Sequence, residues 1–139
     1  MTTEEKDIYA IGEVPPLGFV PNKMHAWVIR KDRHGNPMQS FQSEEFDIPE
    51  IGPSDVLVLV MAAGVNYNGV WAGLGKPISV LDVTKKDYHI AGSDASGIVW
   101  KVGSNVKKWK VVSNFCGLLK IYELYLVLEG LQEGRWQFS

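Results

Sequence analysis

The chain contains one cysteine, Cys116, and only three histidines, His25, His34 and His89, scattered along its 139 residues. A single thiol allows no intrachain disulfide and no cysteine cage for zinc. The histidines form no pair at ligand spacing, so no metal site is expected. Charge of neither sign dominates: 14 basic and 16 acidic side chains leave a formal net charge of −2. That gives no general electrostatic reason to bind nucleic acid or an anionic membrane. The two short basic runs, Arg30-Lys31-Asp32-Arg33 and Lys107-Lys108-Trp109-Lys110, read as solvated turns rather than a binding patch. Long apolar runs are also missing. The best stretch is interrupted by Lys120 and Glu123, so no bilayer-spanning helix is expected. Residues 1–7 are acidic and polar, the opposite of a signal peptide, and a cytoplasmic, reducing setting is the expectation. Finally, no glycine cluster has dinucleotide-fingerprint spacing. Gly92-Ser93-Asp94-Ala95-Ser96-Gly97 comes closest, but it precedes a strand instead of following one.

What is present is an ordinary globular composition, 45% hydrophobic and 22% charged, enough for one domain with a proper core. Residues 1–23 read as an extended arm, because Pro15, Pro16 and Pro21 restrict the backbone and remove donors. Residues 24–30, rich in β-branched and aromatic side chains, predict a strand that stops at a turn around Gly35-Asn36-Pro37. A second strand is expected within 40–48. The run Val56-Leu57-Val58-Leu59-Val60-Met61 is apolar on both faces and predicts a central, doubly covered strand. Ala62-Ala63-Gly64 ends it, and Val65 to Trp71 begins a short irregular or helical segment. Residues 79–87 read as a loop. Residues 95–102 predict another strand, closed by the turn Gly103-Ser104-Asn105. Beyond 110, Leu118, Tyr122, Tyr125 and Leu126 allow an amphipathic helix, while 124–128 allow a strand. Short strands, frequent turns and little helix give a mainly β fold, a small barrel or sandwich.

Two segments could carry chemistry. Asn66-Tyr67-Asn68 follows the buried strand where the chain must turn, and asparagine can orient a carbonyl or carboxylate without adding charge. The same amides could instead satisfy local backbone groups in an Asx-type turn. Trp71 and Tyr88 read as core or pocket wall. In the second segment, Gly92 to Gly97, a tight turn feeding a strand is the simpler reading, with Gly97 permitting close backbone packing. Ser93 and Asp94 are no hydrolase pair, since adjacent residues rarely face each other and no histidine is placed to join them.

Residues 58–71, Val-Leu-Val-Met-Ala-Ala-Gly-Val-Asn-Tyr-Asn-Gly-Val-Trp, resemble the strand and catalytic turn of crotonyl-CoA carboxylase/reductases, zinc-free members of the medium-chain dehydrogenase/reductase superfamily. Residues 88–100, Tyr-His-Ile-Ala-Gly-Ser-Asp-Ala-Ser-Gly-Ile-Val-Trp, are similar to a second stretch of the same family, and the likeness runs from about Lys6 to Lys110. It implies a mainly β, GroES-like, partly open barrel over 24–110, incomplete and without the Rossmann domain, preceded by the arm 1–23. Residues 111–139 depart from the family pattern, as a truncation, frame disruption, splice or fusion boundary would produce. The resemblance also implies NADPH as cofactor, an enoyl-CoA thioester and carbon dioxide as substrates, and compatibility with a homo-oligomer. Zinc-dependent relatives place a cysteine where this chain has Asn66 and a His-Glu pair where it has Ser93-Asp94, which implies no zinc here. Asn68 takes the position of an asparagine that contacts carbon dioxide. Asn66 and Tyr67 would face the nicotinamide, and Trp71 the acyl substrate. Two alternatives stand beside this: an inactive GroES-like module with exposed strand edges that favour association, and a quinone oxidoreductase-like enzyme. The full Asn-Tyr-Asn-Gly-Val-Trp run weighs against the latter.

Overall fold

The computed structural model describes residues 4–92, 94–118 and 125–128. Among the described residues seven strands make two antiparallel sheets. One has three strands in the order β2 (Gln42–Asp47), β1 (Lys23–Arg30), β4 (Tyr88–Ile90). The other has four, in the order β6 (Asn114–Leu118), β5 (Asp94–Val102), β3 (Val56–Ala63), β7 (Tyr125–Leu128). Among the described residues every strand pairing is antiparallel, so no βαβ unit of the kind that seats a dinucleotide is formed there. Among the described residues three short α-helices, α1 (Pro37–Ser40), α2 (Tyr67–Leu74) and α3 (Val80–Thr84), and a 3-10 turn at Lys31–Arg33 interrupt the strands.

The strand at 56–61 is central, as its double-faced hydrophobicity predicts, and it runs on to Ala63 rather than ending at Ala62. Alternate side chains point to opposite faces of a strand, and here each face has its own core. Val56 and Val58 pack with Ala95 and Val99. Leu57 and Leu59 pack with Met24 and Trp100. All four β3 residues are buried to 2% exposure or less, which covers the strand on both sides.

Residues 4–22 of the N-terminal arm lie on this body without regular structure, and Lys23 already belongs to β1. Tyr9 is fully buried and meets Phe19 edge-on, with ring centroids 6.3 Å apart. Trp100 Nε1 donates to the Phe19 carbonyl at 2.6 Å, and Asn22 Nδ2 donates to Asp7 at 2.6 Å.

Residues 79–87, read from sequence as a loop, contain helix α3. The Ser79 hydroxyl accepts from the Leu81 amide at 3.2 Å, and Leu81 is buried. A side-chain cap and one buried leucine outweigh the poor helix propensity of Val80, Val83 and Thr84. Of the tail, residues 114–118 and 125–128 add strands to the two sides of the β5–β3 pair. The strand alternative therefore holds at 125–128, whereas Tyr122 lies outside the described residues.

The first basic run also departs from expectation. Arg30 and Arg33 are not solvated turn residues, because antiparallel β1–β2 pairing brings Glu44 to both. Arg30 donates through Nε at 3.0 Å and through Nη2 at 2.6 Å; Arg33 Nη2 donates at 2.5 Å. The hydrogen bonds from Arg30, and then from Arg33, hold the Glu44 carboxyl down at about 2 against burial, which pushes it up. Because the folded-state value lies below the ordinary 4.5, this contribution is full above that pH and is lost as pH falls toward 2. Arg30 is partly exposed, so solvent screens the pair and the net worth is about 1–2 kcal/mol. Glu44→Gln is expected to lower the unfolding free energy by that amount at pH 7. The gap to the native protein should close between pH 4.5 and 2 in urea titrations; a gap constant with pH would refute the assignment.

Candidate functional site

Helix α2 follows directly from the central strand, across the turn 64–66. Asn66 is its N-cap, in extended conformation (φ −132°, ψ 168°), and its Oδ1 accepts from the Asn68 amide at 3.0 Å. This is the Asx-type turn that was the local alternative for the asparagines, and for Asn66 the structure adopts it. The other end of the same side chain is also engaged, since Nδ2 donates to Asp94 Oδ2 at 3.0 Å. Asp94 opens β5, which runs beside β3 with Ala63 opposite Ala95. The second Asp94 oxygen, Oδ1, is buried and has no hydrogen-bond partner among the described residues. The helix closes at Gly75 (φ 66°).

The helical period divides the sequence-predicted residues between faces. Tyr67 and Trp71, four apart, stack edge-to-face with centroids 5.6 Å apart, and both are exposed, by 67% and 47%. Asn68 is exposed, and its side chain makes no hydrogen bond among the described residues. Asn66 instead joins Gly69 and Val70 on the face turned toward a cavity of about 300 Å³. Trp27 of β1, Pro37 and Met38 of α1, Phe41 and Val65 complete its wall. The four expected residues thus share one short helix and its cap, but the cavity takes only Asn66 of them.

The other wall residues were not singled out from sequence, because they come from three separate segments. One signal was available. On β1 Met24, Ala26, Val28 and also Ile29 are buried, whereas Trp27 among them is 47% exposed. An exposed tryptophan opposite a complete core stripe points to a surface with another use. Helix α2 is held against α1 by Ser40, whose buried hydroxyl donates to the Gly73 carbonyl at 2.9 Å.

Asn66 and Asp94, 28 residues apart, therefore meet in one polar contact beside an apolar wall. The polar side chains gathered there are one amide and one carboxylate, the amide donating to the carboxylate. No group of three histidine, cysteine, aspartate or glutamate side chains converges among the described residues. What the arrangement offers chemically is a neutral, solvent-facing amide at Asn68, an aromatic pair beside it, and an apolar cavity on the adjacent helix face.

Comparison with known proteins agrees with this architecture. Residues 52–116 match the alcohol dehydrogenase GroES-like domain. A crotonyl-CoA carboxylase/reductase of Cereibacter sphaeroides is 64% identical over 107 residues, which cover 77% of this chain and 25% of that protein. A solved crotonyl-CoA carboxylase/reductase superposes with a TM-score of 0.85 at 48% identity, covering 94% of this chain and 38% of the other. The crotonyl-CoA carboxylase/reductase AntE, solved in complex with NADP, gives a TM-score of 0.79 at 35% identity over 89% of this chain and 39% of its own. The chain spans about a quarter of the length of the curated relatives it matches. Over residues 52–116 the chain is thus an alcohol dehydrogenase GroES-like domain, and over its matched length it is similar to the crotonyl-CoA carboxylase/reductases.

Proposed function

We propose that this chain contributes the GroES-like half of the cleft in an NADPH-dependent reduction of an enoyl-CoA thioester, with carbon dioxide captured at the α-carbon. NADPH would supply the hydride for the β-carbon, and the electron pair released to the α-carbon would form the new bond to carbon dioxide, or to a proton in simple reduction. The observation that carries the reading is the division of labour in the turn. Both ends of the Asn66 amide are engaged, by Asp94 and by the Asn68 backbone, whereas the Asn68 side chain, two residues on, is presented to solvent.

A neutral amide can donate to a developing carboxylate without delivering a proton to the competing carbanion. Tyr67 and Trp71 beside it offer a flat aromatic wall suited to a nicotinamide ring or an acyl chain. The described strand pairings form no βαβ unit, so on this reading the dinucleotide's pyrophosphate is held outside the described residues. The reading needs no zinc: a tetrahedral site takes thiolate, imidazole or carboxylate donors, and position 66 supplies an amide that caps a helix instead.

The test is titration of the purified chain with NADPH, followed by nicotinamide fluorescence with and without crotonyl-CoA. Saturable binding that responds to crotonyl-CoA is the expected result if the chain completes a cofactor site by itself or by self-association. A folded chain that binds neither favours the second reading, a half-cleft inactive alone, for which the antiparallel architecture of the described residues speaks.

A further inference from the structure

Asparagine amides have two nearly isosteric ends, so a hydrogen-bonded neighbour must decide which way they point. At Asn66 the decision falls to Asp94. An ionised carboxylate only accepts, so the NH2 end must face Asp94 Oδ2, as it does at 3.0 Å. The carbonyl end is then forced toward the first turn of α2, where it accepts from the Asn68 amide at 3.0 Å. Asn66 is the one side chain among the described residues that hydrogen-bonds to this carboxylate, whose Oδ1 is buried without a partner. Desolvating a carboxylate to serve a single amide is a poor way to stabilise a sheet, which already places Asp94 through its backbone.

The fit around it is also close. The Gly64 amide donates to the Asp94 carbonyl at 3.2 Å, and a Cβ on Gly64 would stand 2.9 Å from Asp94 Oδ2 and 3.0 Å from its Cβ. Only glycine at 64 leaves the carboxylate where the amide needs it. We infer that Asp94 is the positioning residue of the turn: its carboxylate orients the Asn66 amide, and the oriented amide fixes the first turn of α2 and hence the place of Asn68. The inference rests on the reading above for naming Asn68 as the working amide; the positioning itself does not.

The experiment uses the whole 139-residue chain, labelled with 15N, and needs no turnover. It reads the Asn66 side-chain NH2 resonances and the exchange rate of the Asn68 backbone amide. In Asp94→Ala the NH2 resonances should move to free-asparagine values, and Asn68 exchange should quicken about tenfold, the scale of a lost N-cap. Asp94→Asn keeps an acceptor oxygen without the charge and should restore most of the protection. Gly64→Ala leaves Asp94 in the sequence but crowds its carboxylate off the amide, so it should reproduce the alanine effect even if Asp94→Ala does not fold. Unchanged resonances and exchange in a folded Asp94→Ala or Gly64→Ala chain would overturn the assignment. Since NADPH is absent from this measurement, a failed cofactor titration leaves its result standing, and its failure leaves the titration standing.

Discussion

Gly97→Ala is expected to lower the unfolding free energy by about 3 kcal/mol, and the thermal midpoint by about 10 °C, although it adds a single methyl group. Gly97 lies in the middle of β5, opposite Val60 of β3 on one side and Phe115 of β6 on the other. A Cβ there would stand 2.1 Å from the Leu59 carbonyl oxygen, 3.0 Å from its carbon and 3.1 Å from Val58 Cγ1. The first two are backbone atoms of the central strand, so no rotamer change relieves them. The strands must separate where the ladder is already irregular between Val60 and Ala62, and both cores flanking β3 would open with them. Gly69→Ala is the matching control. It adds the same methyl inside helix α2, where the nearest atom outside the helix, Phe41 Cζ, is 3.9 Å away. It should stabilise the chain by up to about 1 kcal/mol through helix propensity and reduced unfolded-state entropy. Thermal or urea unfolding of the two variants checks both signs, and equal midpoints would refute the packing argument.

How much could be read in advance follows from what each feature depends on. The central strand is legible because burial on both faces leaves a run of six apolar residues with no polar alternation. Close packing at Gly97 is legible because glycine in the interior of a strand pattern has few other uses. Helix α3 is not legible, because Val-Leu-Asp-Val-Thr has the composition of a strand. Only the Ser79 cap and the buried Leu81 turn it into a helix. The Arg30–Glu44–Arg33 cluster needs the register of β1 against β2, which periodicity does not supply: Ala26 lies opposite Glu44, and the arginines reach it from the strand end and the following turn.

The same division runs through the candidate site. The place of the turn was legible, since the asparagines follow a buried strand at a forced change of direction. Which asparagine is structural and which is free was not. That distinction comes from Asp94, 28 residues away from Asn66 in sequence and 3.0 Å from it in space. The cavity was hidden for a related reason: Trp27, Phe41 and Val70 share no local pattern and meet only when α1 and α2 pack together.

The free amide leads to the second large effect. On the proposed chemistry, Asn68→Ala should cut carboxylated product about 100-fold, the scale of losing one preorganised donor to a developing oxyanion. Plain reduction of the thioester should survive, because hydride delivery does not pass through this amide. The variant is a clean one for structural reasons. The hydrogen bond that Asn68 contributes to the helix cap comes from its backbone N–H, which alanine retains. Its side chain is exposed, and alanine is the better helix former, so stability should stay within about 0.5 kcal/mol of the native chain. Asn66→Ala differs on each count: it removes the cap and strands the Asp94 carboxylate, so it should lose stability and both activities together. The two variants therefore separate a chemical role from a structural one within three residues. With NADPH, crotonyl-CoA and bicarbonate, in the assembly that turns over, the readout is the ratio of carboxylated to reduced product. A ratio that falls in Asn68→Ala at unchanged thermal midpoint assigns the amide to carbon dioxide capture. A ratio that stays put, with reduction intact, removes Asn68 from the chemistry and leaves the turn as a structural joint between β3 and α2.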